Sequence, residues 1–399
     1  MGEASIEGAE IAPLRFTLKP PLMTSRRTVA VRETLILRLF DRDGVVGAGE
    51  AAPAYWLGGE TLGQTRASLR KLAARLAAQA ITPAELRRWA GLNEAFEPAP
   101  GARQGGESQA PAARRGAGAA DADRPHGTGA AALSPAARSA LDCALLELRA
   151  KRAGRSVAEL LAQAVGGAEP ARPVRVAALL TADSTRALAA QARAAARAGF
   201  RTLKLKIGAG ANDLERARAV AEAAGPGAAL RLDANRAFDF ERALELLSAL
   251  AGAAPIEFVE EPLARPSPAQ LKRLRALSGV RVALDESFAG RASLEPYLGA
   301  GAADVIVLKA ARLGGLSRCA ELAALAARAG LAPCVTDSIE SALGMSAAVH
   351  LAAALPNPTL AVGLGGARYI SARALAPFPG FSPSLRAAGA GFAVCARSR

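Results

Sequence analysis

The sequence predicts an α/β protein in which parallel strands close into a barrel, preceded by an α+β region. Three observations carry this. From Val174 onward, eight short apolar runs follow one another: VRVAALL, TLKLKIG, ALRLDAN, IEFVEEP, VRVALDES, DVIVLKA, LAPCVTD and TLAVGLG. Between most of them lie Ala/Leu-rich helical segments such as LERARAVAEAA and RALELLSALA, the alternation expected of parallel βα units. The residues before Val174 have another rhythm, strands first and helices after. An open doubly wound sheet is the alternative, weakened by the lack of a GxGxxG fingerprint after a first strand.

Taken in order, residues 14–50 read as strands. LRFTLKP and TLILRLF alternate in polarity, and Asp43-Gly44 is a hairpin signal before VVGAGE. A helical stretch is expected from Thr61 to Ala90, with Leu69, Leu72, Leu76 and Ile81 on one face. Residues 97–133 change character: Pro, Gly, Ala and polar residues dominate, with little to bury, and a disordered surface insertion is expected there. Ser134-Pro135 then supplies an N-cap and a first-turn proline for a helix through Ala150.

Composition narrows the class. Of 399 residues, 51% are hydrophobic, so disorder of the whole chain is excluded. No apolar run is long enough to cross a bilayer, and MGEASIEGAEIAPLRF lacks a secretory pattern, so a cytoplasmic protein without a membrane partner is expected. Cys143, Cys319, Cys334 and Cys395 form no CxxC pair and are expected as buried thiols. The formal charge of +14 raises the question of nucleic acid. The arginines are scattered, however, with no basic run interleaved with aromatics, and the expected partner is a small anionic substrate.

The chemistry lies in where the charges fall. Lys206, Asp233, Glu260, Asp285 and Lys309 each sit at the C-terminal end of a successive apolar run, 27, 27, 25 and 24 residues apart. In a parallel barrel this puts all five at one rim, the end where such barrels do catalysis. Any one alone is explained as a solvated strand-end charge; five in phase are not. Asp233, Glu260 and Asp285 on neighbouring strands would repel, and a hard divalent cation resolves this. Oxygen-only donors favour Mg²⁺, or Mn²⁺, over zinc. Lys204 and Lys206, two apart on a strand, share a face. Each is expected to depress the other's proton affinity, which helps one act as a general base. Lys309 approaches from the opposite side, and the whole suits removal of a proton α to a carboxylate.

These residues resemble a known family. KLKIG (Lys204 to Gly208), RLDAN (Arg231 to Asn235), VEEPL (Val259 to Leu263), ALDES (Ala283 to Ser287) and VLKAARLGG (Val307 to Gly315) are similar to the enolase superfamily, muconate-lactonising subgroup. Lysine-plus-magnesium chemistry is general knowledge of that superfamily. The resemblance implies a modified TIM-type (β/α)7β barrel over 173–368. It implies an α+β N-terminal capping domain over 1–172, to which GVVGAGEAAPAYWLGGETL belongs, and a segment 369–399 packing back on it. It also implies Asp233, Glu260 and Asp285 as metal ligands, Lys206 as acid/base with Lys204 beside it, Lys309 across the site, and Arg231 near the substrate.

Within the subgroup, SIESALG (Ser338 to Gly344) and GLGG (Gly363 to Gly366) resemble members that dehydrate a hydroxylated cyclohexadiene carboxylate carrying a succinyl arm. Ser338, Gly363 and Gly365 would then meet the substrate, with the N–H groups of Gly363, Gly365 and Gly366 as a nest for the succinyl carboxylate. Asp337 stands where the resemblance implies serine. The rivals on the same scaffold are a dipeptide epimerase or an N-acylamino acid racemase. The epimerase would need Asp-x-Asp after the eighth strand, where this chain has Gly363-Leu364-Gly365. A rim histidine, as in mandelate-racemase-like enzymes, is not available: His126 lies in the insertion and His350 in a helix. A non-catalytic scaffold would have lost a rim charge, and none is missing.

Overall fold

The computed structural model describes residues 5–23, 28–57, 59–92, 133–166, 169–170, 173–208, 210, 212–355, 360–371, 375, 378 and 382–396. It begins with an antiparallel sheet of β1 (Ile6–Met23), β2 (Thr28–Asp41) and β3 (Val46–Ala51), in that spatial order. Helices α1 (Leu62–Ala78), α2 (Pro83–Trp89), α3 (Pro135–Arg152) and α4 (Val157–Ala164) follow. The expected helix over 61–90 is therefore two helices. Thr82-Pro83 opens the second with a capping box, and Ile81 between them pairs with Ile6 of β1 as an isolated bridge. Ser134 is the N-cap residue of α3, as its Ser-Pro pair implied, but its side chain makes no cap hydrogen bond.

Residues 97–132 of the expected insertion lie outside the described residues. Its last residue, Leu133, does not fit the expectation: it is buried with Leu69, Leu72 and Leu141 in the N-terminal core. Glycine at two positions lets α3 lie directly on β3. A Cβ on Gly47 would stand 2.1 Å from the Ala144 carbonyl oxygen, and one on Gly49 would stand 2.0 Å from that of Ala140.

The barrel strands are β4 (Val174–Leu180), β5 (Thr202–Lys206), β6 (Ala229–Asp233), β7 (Ile256–Glu260), β8 (Val282–Leu284), β9 (Val305–Leu308), β10 (Ala332–Val335) and β11 (Val362–Gly363). Neighbours from β4 to β10 pair in parallel, β11 pairs with β4, and a Thr336–Gly363 bridge joins the two ends. The sheet is thus closed rather than open. Helices α5 (Thr185–Arg197), α6 (Asp213–Ala224), α7 (Phe240–Ala251), α8 (Pro268–Ser278), α9 (Arg291–Ala300), α10 (Ala310–Leu313), α11 (Leu316–Arg328) and α12 (Ala342–Ala354) lie in the connections. After β11, strands β12 (Ser384–Ala387) and β13 (Val394–Ala396) extend the barrel sheet antiparallel from β4, and Gly391 bridges to Ser156. Cys143, Cys319 and Cys334 are buried thiols, whereas Cys395 near the end of the described chain is exposed, unlike the expectation.

His350 is fully buried in α12. Its Nδ1 accepts the Ala158 N–H at 3.1 Å, which leaves the proton on Nε2 to donate to the Ala393 carbonyl at 2.8 Å. Burial lowers its pKa from 6.5 to about 4. Between those values the unfolded chain binds the extra proton, so this contribution is present above pH 6.5 and lost as pH falls toward 4. The full difference is about 3 kcal/mol. Urea midpoints at pH 7 and pH 5 should show a steeper acid loss for wild type than for His350→Gln. Equal slopes would refute this assignment.

No helix among the described residues is long and apolar enough to cross a membrane.

Candidate active site

Parallel pairing sets the site. Lys206, Asp233 and Glu260 are the last residues of β5, β6 and β7 and lie in one rung, Lys206 opposite Asp233 and Asp233 opposite Glu260. Asp285 directly follows β8, and Lys309 directly follows β9. All five predicted charges therefore stand at one rim. Lys206, Asp233, Glu260 and Lys309, with Lys204, line a cavity of about 150 Å³, whose wall also includes Trp56, Phe258, Glu286, Ser338, Ile339 and Gly365. Asp285, behind Lys309, is buried.

The charges neutralise one another. Lys204 Nζ lies 2.8 Å from Asp233 Oδ2 and 2.7 Å from Glu260 Oε2. Lys309 Nζ donates to Asp285 Oδ2, and Arg312 Nη2 holds the other oxygen at 2.9 Å. Burial works against the charge of Lys204, but Asp233 and Glu260 outweigh it and raise its pKa well above the ordinary lysine value. Lys204 does not show the depression expected of paired lysines, because its two carboxylate partners raise it instead. Burial likewise opposes the charge of Lys309, and Asp285 ahead of Glu260 raises it to about 12. The Asp285 carboxyl is held well below the usual range: burial is outweighed by Lys309 and Arg312. Glu260 is pushed up to about 8 by burial and then by Asp233.

Lys206 is placed differently. Its Nζ donates to Asn235 Oδ1 at 3.1 Å, and Asn235 is held by its own N–H on Asp233 Oδ1 at 3.2 Å. Asn235 sits at φ 41°, a backbone region in which Asn is favoured among non-glycine residues. Sequence reasoning missed Asn235, although RLDAN places it two residues beyond a predicted ligand. It also missed Glu286, whose Oε2 is buried without a partner among the described residues. Burial and then Asp285 push that carboxyl up to about 6.

A divalent cation was expected on Asp233, Glu260 and Asp285. Among the described residues, no three acidic side chains already close into a cation nest, and the carboxylates are engaged by Lys204, Lys309 and Arg312. The donor set nevertheless fits a hard cation. All three are buried oxygen donors on adjacent strands, and Glu260 Oε1 is buried with no hydrogen-bond partner among the described residues.

One substrate-contact expectation changes. Arg231 lines the cavity and is also braced inside the barrel: Nε meets Glu257 Oε2 at 2.5 Å, Nη1 donates to the Ala361 carbonyl at 2.7 Å, and the guanidinium lies over Phe258. Its Nη2 alone has no partner among the described residues. The anion nest over Gly363, Gly365 and Gly366 is not open to a substrate at Gly366. That N–H donates to Asp337 Oδ2 at 2.9 Å, so the chain's own carboxylate fills the nest. Burial raises the Asp337 carboxyl to about 6, against the pull of the Gly366 N–H. Asp337 ties the ends of β10 and β11 together, which explains an acid at a site read as anion-binding. Ser338, also predicted, is buried on the cavity wall, and its Oγ has no partner among the described residues.

A closed parallel barrel with ionisable groups gathered at its catalytic rim defines an α/β-barrel enzyme. Residues 187–381 match the family described as enolase C-terminal domain-like. The chain is 28% identical over 360 residues to the hydrophobic dipeptide epimerase of Enterococcus faecalis (strain ATCC 700802 / V583), covering 89% of each. It is 36% identical over 185 residues to the o-succinylbenzoate synthase of Thermobifida fusca (strain YX), covering 45% of this chain and 56% of that one. The solved dipeptide epimerase from E. faecalis V583 complexed with Mg and the dipeptide L-Leu-L-Tyr shares the fold: TM-score 0.78, 24% identity, 98% of this chain and 99% of that one. Over residues 187–381 the chain is similar to the enolase superfamily.

Proposed function

We propose that the chain is an o-succinylbenzoate synthase: it removes water from 2-succinyl-6-hydroxy-2,4-cyclohexadiene-1-carboxylate to give 2-succinylbenzoate, a step of menaquinone biosynthesis. The observation that carries this is the balance of charge around the cavity. Lysines flank it on both sides, glycines 363, 365 and 366 stand at and just beyond the end of the last barrel strand, and the acid beside them, Asp337, is committed to a backbone N–H. A buried substrate ammonium would need an uncommitted carboxylate partner there, whereas an anionic substrate does not. The 36% identity to the T. fusca synthase over 185 residues supports the same reading.

In this reading Lys206 Nζ takes the proton α to the ring carboxylate. As the ring double bond forms and the C–O bond breaks, Lys206 returns that proton to the departing hydroxyl, which leaves as water. Asn235 orients Lys206, and the Lys309 ammonium stabilises negative charge developing on the opposite face. Asp233, Glu260 and Asp285 would hold Mg²⁺, or Mn²⁺. A bound cation would supply positive charge that stabilises the carboxylate as it accepts electron density. The Ser338 hydroxyl would donate to the succinyl arm, with Gly363 and Gly365 leaving room beside it.

A specific observation favours a second reading, a dipeptide epimerase. Asp337 puts a carboxylate on the cavity wall, and the similarity to the E. faecalis epimerase runs along 89% of the chain. One experiment separates the two. With Mg²⁺ present, the purified protein is given the cyclohexadiene carboxylate and, separately, L,L-dipeptides in deuterated water. Aromatic product from the first and no deuterium at the dipeptide α-carbons is the expected result. Rapid α-exchange of a dipeptide without dehydration would overturn the substrate and leave the lysine and metal roles standing.

A further inference from the structure

Two charged side chains of the N-terminal sheet reach the barrel and have no part in the proposed chemistry. Arg32 of β2 is fully buried. Its Nε donates to the Ile339 carbonyl at 3.0 Å, its Nη1 to the Pro53 carbonyl at 2.9 Å, and its guanidinium lies 4.6 Å over the Trp56 ring. Glu50 of β3 is buried as well. It accepts the Ser341 N–H at 3.0 Å, the Ser341 hydroxyl at 2.6 Å and the Gly344 N–H at 3.1 Å, and so caps α12 from another domain.

The residue between these two grips is under strain. Ile339 has φ 59°, an outlier for a β-branched side chain that persists only where its surroundings over-determine it. Arg32 fixes its carbonyl, Glu50 fixes the chain two residues on, and Glu340 Oε2 accepts the Ser338 N–H at 2.7 Å. Ser338, Ile339 and Trp56 all face the cavity. A relaxed Ile339 would move the Ser338 hydroxyl and the apolar wall together.

We propose that Arg32 and Glu50 are positioning residues for substrate selection: acting across the domain boundary, they hold Ile339 in its left-handed conformation and so set the cavity wall formed by Ser338, Ile339 and Trp56. That wall offers one hydroxyl beside two apolar faces, which fits a flat apolar body with an oxygen-bearing arm. The substrate class rests on the reaction proposed above; the positioning does not.

The fold contains its own control. Asp142 of α3 caps α11 across the same boundary, accepting the Ser317 N–H at 2.8 Å and the Ser317 hydroxyl at 2.6 Å, and it is not part of the cavity wall. A merely structural link should behave alike at both places. The chain has two tryptophans, so Trp89→Phe leaves Trp56 as the one emitter. In that background Arg32→Met, Glu50→Gln and Asp142→Asn are compared by acrylamide quenching of Trp56 and by binding of 2-succinylbenzoate with Mg²⁺ present. Glu50→Gln is the cleaner arm, since it does not touch the indole. Arg32→Lys replaces Arg32→Met if the latter does not fold.

The expected result is stronger quenching and about tenfold weaker binding in the Arg32 and Glu50 variants, with Asp142→Asn lowering Tm and changing neither. Unchanged quenching in Glu50→Gln, or an equal change in Asp142→Asn, would overturn the proposal. If wild type does not bind 2-succinylbenzoate, the proposed reaction fails, and quenching alone decides the positioning.

Discussion

Lys206→Ala should lose about 10²–10⁴-fold in turnover, the range for removal of a positioned general base. The loss should fall on kcat and leave KM within a few-fold, because Lys206 is bonded to Asn235 rather than to the carboxylates. Cation binding should survive for the same reason: Asp233, Glu260 and Asp285 keep their own partners, Lys204, Lys309 and Arg312. Lys309→Ala should be less selective. It removes the ammonium from the far face and also strips the buried Asp285 of one of its two cationic partners. Loss of stability is therefore expected together with loss of turnover. Measured kcat, KM and Mg²⁺ affinity for both variants separate these outcomes. Near-wild-type kcat in Lys206→Ala would mean that another group is the base.

The second large effect concerns the cation. Stripping the protein with a chelator should abolish turnover, and Mg²⁺ or Mn²⁺ should restore it. Glu260→Gln is the sharper form of the same test. Glu260 presents a buried oxygen with no hydrogen-bond partner among the described residues, and its amide replacement loses the charge while keeping the shape. Turnover should fall by on the order of 10²–10³-fold or more, the range for loss of a preorganised electrostatic group. The rise in Tm that Mg²⁺ gives wild type should shrink in parallel, since a ligand that binds the native state stabilises it by mass action. Full turnover in exhaustively chelated protein would refute the cation's role. An unchanged Mg²⁺-induced Tm shift in Glu260→Gln would remove Glu260 from the ligand set.

The rim charges were legible because they obey a rule with one variable. A parallel strand ends at the catalytic face, so the last residue of each apolar run is placed without knowing anything else. Lys206, Asp233 and Glu260 end their strands in one rung, and Asp285 and Lys309 fall one residue beyond theirs. What each charge touches was not legible, because that depends on side-chain distances. Lys204 was read against Lys206, while the structure sets it between two carboxylates. Asp337 was seen as out of place, but its bond to Gly366 depends on how the ends of β10 and β11 meet. The contacts of Arg32 and Glu50 cross 307 and 291 residues of sequence, and no local pattern signals such a pairing. The single helix expected over 61–90 failed because helical spacing carried through Ile81 while Thr82-Pro83, a start signal, was passed over.

The central claim, that a rim lysine removes a proton α to a carboxylate, is tested most directly by single-turnover dehydration of the cyclohexadiene carboxylate deuterated at its α-carbon. Enzyme is held in excess with Mg²⁺ so that product release does not limit the rate. Wild type should aromatise the deuterated substrate more slowly than the protiated one, and Lys206→Ala should give no burst of product from either. Equal wild-type rates for the two substrates, with Lys206→Ala matching them, would contradict it.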